Sequence, residues 1–128
     1  MGRMRFDPEQ PVIVLNVELK GRIIENVKMA FDTGSTYTMI PWKLAKSLGL
    51  SPELSEAKVD MVTASGVEKA PLVTLESMTV LGESLNDVRA TVHDLPSRSY
   101  VDGLLGLSFL KKFDININFK EGVLEIKK

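Results

Sequence analysis

The stretch Ala30-Phe31-Asp32-Thr33-Gly34-Ser35-Thr36 is an apolar run that ends in one carboxylate and continues in small and hydroxyl-bearing residues. A carboxylate placed where a buried strand breaks into a tight turn sits in an apolar wall, yet hydroxyl and backbone N–H donors can surround it. Such a setting perturbs and positions a carboxyl group, which is what acid–base chemistry requires. A plainer reading stands beside it: an Asx-type turn closing a strand, with Asp32 bonding its own backbone. The chain carries one such segment, so a reaction that needs two carboxyl groups must draw the second from another chain.

Two further segments follow. In Val101-Asp102-Gly103-Leu104-Leu105-Gly106-Leu107 a pair of bulky apolar residues is clasped between glycines, and Val62-Thr63-Ala64-Ser65-Gly66-Val67 is a small-residue turn joining two β-rich runs. In this order and spacing the three segments resemble the single-domain aspartic peptidases, the retropepsin-like family, over residues 12–126. The resemblance implies that Asp32 is the catalytic aspartate and that Thr33, Gly34 and Ser35 support its loop. Thr33 would hydrogen-bond across a twofold axis. Gly34 would let its N–H approach the carboxylate where a side chain would obstruct it. Ser35 would donate its hydroxyl to the outer carboxylate oxygen. Thr63, Ala64, Ser65 and Gly66 would form a flap over substrate, although an ordinary hairpin turn would use the same residues. Leu104, Leu105 and Gly106 would be the hydrophobic-hydrophobic-Gly support beneath the loop, where either reading requires burial.

Peptide hydrolysis by water needs one group to take a proton from the water and another to give one to the substrate. Two carboxyl groups held about 3 Å apart do both, because like charges that close cannot both ionise and one proton is shared. With one suitable carboxylate per chain, a twofold homodimer would place an Asp32 from each protomer at the axis, and a monomer would be inert. The expected partners are therefore a second copy of the chain and a polypeptide substrate, bound in extended form as an added strand. The expected function is that of a homodimeric aspartic endopeptidase with an acidic to mildly acidic optimum and no cofactor or metal. The alternative from another class is a non-catalytic peptide-binding or dimerisation module of the same fold.

The sequence departs from the retroviral pattern at two linked places. Retroviral members follow the hydrophobic-hydrophobic-Gly segment with an arginine that pairs with an aspartate four residues after the catalytic one. Leu107 and Thr36 stand at those positions. Both halves of the ion pair are replaced together, as in the cellular and prokaryotic branches of the family, and one tie between subunits goes with them. Terminal strands at residues 12–17 and 123–127 are expected to make up the loss by pairing across the dimer. Tyr37 and Trp42 follow the loop closely enough to line a pocket, with Trp42 the better candidate for core. His93 is the only histidine, so no histidine metal cluster or Ser/His/Asp triad can be assembled, and a structural or surface role is expected for it. Asp102 precedes a glycine and reads as a turn cap rather than a second catalytic aspartate. Glu53, Glu56 and Lys58 read as a solvated face.

A chain of 128 residues supports one modest core, and a hydrophobic content of 44% excludes disorder as the default. The net charge is −1 with both signs interspersed, so neither nucleic acid nor a charged surface is an expected partner. No run approaches the roughly eighteen apolar residues of a membrane span, and residues 1–7 do not read as a signal peptide. With no cysteine in the chain, disulfides, thiolate nucleophiles and cysteine-ligated zinc are excluded. A cytoplasmic location and no membrane partner are expected.

The elements that would position these residues can be read from periodicity. The expected fold is mostly β, a small closed barrel of the acid-protease type with one or two short helices, as a single domain over 1–128. Residues 1–10 are expected to be a flexible or dimer-contacting terminus. Strands are expected at 12–20, 23–31, 58–63, 67–81, 85–93, 113–119 and 123–127, with turns at Gly21-Arg22, Gly82-Glu83 and Glu121-Gly122. A helix is expected over 41–49, opened by Pro41 and closed by Gly49. A second is expected over 104–112, where Leu104, Leu107 and Leu110 recur at helical spacing.

Overall fold

In the computed structural model, which describes residues 1–62 and 64–128, alternation along the first long strand shows how the core is built. Within β2 (Val14–Lys20), Leu15, Val17 and Leu19 are buried while Asn16 points to solvent, as a strand with one dry face requires. β2 turns back through Gly21–Ile23 into β3 (Ile24–Phe31), pairing along its whole length from Val14↔Ala30 to Lys20↔Ile24. The chain then crosses the loop that carries Asp32 and enters β4 (Thr38–Ile40) and helix α1 (Trp42–Ser47). Pro41 caps that helix at its start, and Gly49 just after it has φ +80°, a conformation suited to glycine.

β5 (Lys58–Thr63) and β6 (Gly66–Val80) form a hairpin, and β7 (Glu83–Val92) returns along β6. The β6–β7 turn has Leu81 at φ 50° and Gly82 at φ 82°. Two successive positive φ values make the kind of turn that matches the twist of a tight hairpin. β6 serves two structures at once. Its first part pairs β5, and its remainder pairs β7 and, over Ser77–Val80, β2.

That last pairing closes the barrel. Strands run in the order β2-β3-β8-β4-β7-β6, with β8 (Gly103–Leu105) inserted between β3 and β4, and the β2–β6 contact joins the ends. The interior is filled by Leu15, Val17, Leu19, Met29, Leu75, Met78 and Leu105, all at most 2% exposed. Helix α2 (Leu107–Leu110) plugs it with Phe109, fully buried and stacked at 4.7 Å on Phe113. The expected mostly β closed barrel with two short helices is what forms.

Three expectations need correction. The second helix does not begin at Leu104: Leu104 and Leu105 belong to β8, and only Leu107–Leu110 is helical. The leucine spacing suggested one helix, but β8 pairs parallel with β3 and antiparallel with β4, and those backbone partners outweigh a three-residue rhythm. Residues 1–10 include a strand, β1 (Gly2–Arg5), paired with the chain's own β10 (Val123–Lys127), so a flexible terminus does not hold there. Finally, β10 lies in the middle of a three-stranded sheet, β1-β10-β9, with β9 at Asp114–Asn118. Both of its edges are occupied, so Val123–Lys127 has no free edge to offer a second chain. β2 is likewise paired along β3, and only Val14–Asn16 lacks a partner on its other side.

Candidate active site

The loop bearing Asp32 is fixed from below by β8. The Asp32 amide donates to the Leu105 carbonyl at 3.0 Å, extending the β3–β8 ladder past Phe31↔Leu105. The Leu107 amide donates to the Ser35 carbonyl at 2.8 Å, and the Gly106 amide to the Thr38 hydroxyl at 3.1 Å. Gly106 is required by closeness. A Cβ there would meet the Tyr37 carbonyl oxygen at 2.5 Å and the Ser35 carbonyl oxygen at 2.8 Å, contacts that no side chain tolerates. Leu104, Leu105 and Gly106 are thus brought directly beneath the loop.

Two donors from its own turn converge on the Asp32 carboxylate. The Gly34 amide donates to Oδ1 at 2.9 Å and the Ser35 hydroxyl to Oδ2 at 3.2 Å. A Cβ on Gly34 would lie 3.1 Å from Oδ1, tight against the oxygen that its amide reaches. Asp32 and Ser35 are half-buried, whereas Thr33 and Gly34 are exposed. The Asx-type turn and the positioned carboxylate are therefore one geometry: the turn presents the carboxylate with one oxygen on a backbone N–H and the other on a hydroxyl.

A buried polar cluster behind the loop escaped sequence reading. Thr38 is fully buried; its amide donates to the Ser108 hydroxyl oxygen at 2.8 Å, and its own hydroxyl accepts from the Gly106 amide. The Thr91 hydroxyl donates to the Thr38 carbonyl over a longer 3.5 Å. These bonds join β4, β7 and the start of α2 around one threonine. Nothing in Thr38-Met39-Ile40 as a sequence separates this threonine from any other in a strand.

Above the loop, β5 and β6 project as a hairpin whose turn holds Ala64 and Ser65, with Gly66 at φ +128°. A Cβ on Gly66 would meet nothing within 4 Å, so its glycine answers to backbone conformation alone. Thr63 lies outside the described residues. Val62 and Val67 are 87% and 66% exposed near the tip. Between hairpin and loop lies a cleft of about 430 Å³, lined by Gly34, Ser35, Thr36, Tyr37 and Met39 below and residues 59–62 above. Tyr37 faces this cleft, and Trp42 packs against the core instead.

The remaining singled-out residues have structural partners. Asp102 exchanges two bonds with Lys28, accepting from its amide at 2.9 Å and donating its own to the Lys28 carbonyl at 2.7 Å. The parallel register thus sets Asp102 opposite a residue four positions back along β3 from Asp32, or roughly 13 Å away along a strand. It fastens the start of β8. Leu107 packs against the core and Thr36 is exposed, so the backbone bond from Leu107 to Ser35 stands where an ion pair would otherwise brace the loop. His93 contacts Glu68 of β6, its Nε2 2.8 Å from Oε2.

A family model described as "Aspartyl protease" matches residues 15–109. A retropepsin-like aspartic protease from Rickettsia conorii, known from its crystal structure, superposes on the chain with a TM-score of 0.73 at 23% identity, covering 99% of each chain. At that identity the likeness is one of fold. No curated protein sequence matches the chain.

Proposed function

The chain belongs to the aspartyl protease family, and from that premise we propose that it is a homodimeric aspartic endopeptidase using one Asp32 carboxyl from each protomer. The observation that carries the reading is the Asp32 carboxylate itself. It is half-buried, held by the Gly34 amide and the Ser35 hydroxyl, and set beside a cleft that a hairpin overhangs.

In this reading the exposed Thr33 and Gly34 face a second copy, and the two loops bring their carboxyls together with one shared proton. The ionised carboxyl takes a proton from water as its oxygen attacks the scissile carbonyl carbon, while the protonated one donates to the carbonyl oxygen. Collapse of the resulting diol breaks the C–N bond, with a proton passing to the departing nitrogen. Ser35 and the Gly34 amide hold each carboxyl in orientation throughout. The substrate lies extended between the loop and the residues 62–67 hairpin, where main-chain bonds along β5 supply affinity and the walls around Tyr37 and Met61 supply preference. Closure of that hairpin excludes water other than the nucleophile.

Cleavage of an unfolded protein mixture at mildly acid pH, by the chain and by Asp32→Asn, tests the proposal. Cleavage by the first alone is expected. If neither folded protein cleaves, a peptide-binding module is the better account.

A further inference from the structure

Glu68 and His93 join the overhanging hairpin to the barrel wall. Glu68 stands on β6 opposite Met61, so both side chains lie on the same face of the hairpin, and Met61 lines the cleft. His93 follows directly on β7, with its amide donating to the Ile40 carbonyl at 3.0 Å. Its ring reaches two oxygens: Nε2 lies 2.8 Å from Glu68 Oε2 and Nδ1 2.9 Å from the Asp94 carbonyl. Both oxygens are acceptors. A neutral imidazole has one N–H and can donate to one of them, leaving a lone pair against the other. Only the imidazolium satisfies both.

We propose that His93 and Glu68 form a proton-dependent latch that holds the flap hairpin over the cleft when His93 is charged and releases it when His93 is neutral. The inference rests on reading residues 62–67 as the flap of a peptidase. Its consequence is that two acid-dependent devices act together: the shared proton of the paired carboxyls and the tie that keeps substrate covered. His93 and Glu68 are positioning residues in this account, touching the flap and not the scissile bond.

The surroundings agree in sign. The Glu68 hydrogen bond is the largest influence on the ring and raises its pKa above the ordinary imidazole value; partial burial opposes this, and the Asp94 carbonyl and the charges of Glu68 and Asp94 add to the rise. Asp94 is otherwise engaged, its Oδ1 accepting the Trp42 amide at the start of α1 at 3.0 Å. Lys69, next to Glu68, points to the other face of the hairpin, where it pairs with Asp60 at 2.6 Å. A raised folded pKa means the tie is complete below about pH 6.5 and is lost as pH rises through the raised value.

Amide hydrogen exchange in the Asp32→Asn chain tests the latch without requiring turnover. Protection factors for residues 58–71, corrected for intrinsic exchange, are compared at about pH 5.5 and 8 in that chain and with His93→Gln or Glu68→Gln added. Protection of the hairpin should fall roughly two- to fivefold with rising pH, as an exposed ion pair warrants. Both variants should be flat at the lower level, with the β9–β10 hairpin unchanged as a control on folding. The same pH response in the variants, or none in the parent, would overturn the proposal. So would a His93 ring-proton titration that falls at or below the ordinary value and that Glu68→Gln does not lower. Because Asp32→Asn performs no chemistry, failure of the latch and failure of the peptidase reading are separate results: cleavage by the unmodified chain beside a flat exchange profile removes the latch alone.

Discussion

Asp32 hangs from Leu105: the amide of the first donates to the carbonyl of the second at 3.0 Å, one rung beyond the last pair of the β3–β8 ladder. The carboxylate is therefore positioned by a strand just over seventy residues away in sequence (residues 103–105), and the accuracy of its placement depends on how closely that strand and its glycines pack under the loop. In the proposed peptidase, geometry built on rigid elements in this way would tolerate little displacement.

Gly106→Ala is the sharpest test of that packing. The added methyl would meet the Tyr37 carbonyl oxygen at 2.5 Å, and β4 and the loop must shift to admit it. A loss of about 1–3 kcal/mol is expected, read as a fall in Tm of roughly 5–10 °C, with cleavage falling further than stability. An unchanged Tm would mean that the loop and β8 are not in contact as described.

Thr38→Val removes a hydroxyl that satisfies the Gly106 amide at 3.1 Å and keeps the shape of the side chain. A buried amide left without its acceptor costs about 1–3 kcal/mol. Thr38→Ser retains the oxygen and should recover most of the loss in denaturant unfolding. A Thr38→Val variant as stable as the parent would show that the hydroxyl does not hold the Gly106 amide as described.

The Ser35 hydroxyl touches the Asp32 carboxylate at 3.2 Å and is half-buried. Ser35→Ala should leave Tm nearly unchanged and lower kcat/KM about fivefold, the effect of one hydrogen bond near 1 kcal/mol. An equal fall in stability with full activity would make Ser35 a structural residue only.

The His93–Glu68 pair also enters the global pH dependence of stability. With the folded pKa of His93 raised by Glu68, its contribution is present below about pH 6.5 and disappears as pH rises through the folded value. The Tm difference between the chain and His93→Gln should thus be largest near pH 5.5 and close by pH 8. Glu68 is 50% exposed, so the difference will be small, under about 1 kcal/mol. A difference that widens toward pH 8 would contradict the assignment.

Sequence reading reached the barrel because its strands alternate and its turns carry glycines with positive φ, as at Gly82 and Gly122. The bonds expected within the loop, from the Gly34 amide and the Ser35 hydroxyl to the Asp32 carboxylate, are legible because they span only two and three residues. Sequence reading failed where partners lie far along the chain. The spacing of Leu104 to Leu107 and Leu110 is visible locally and points to a helix, whereas the pairing of Leu104 and Leu105 with Ala30 and Phe31 is not visible. β1 was missed because Gly2–Arg5 is short and acquires its strand form from β10. Thr38 and the Glu68–His93 contact are invisible for the same reason: each is defined by partners on separate segments of the chain. The terminal strands read as pairing across a dimer because exposed strand ends invite pairing in general; within the fold β1 and β9 already cover β10.

Titration of a fixed amount of the chain with increasing Asp32→Asn chain, following cleavage of an extended peptide at mildly acid pH, tests the central claim most directly. If each site is made from two Asp32 carboxyls, the variant is inert alone and draws active protomers into mixed dimers with one carboxyl. Activity should then fall toward zero as the variant reaches excess. Activity that is indifferent to any excess of inert variant would show that one chain suffices, and the shared-carboxyl account would be wrong.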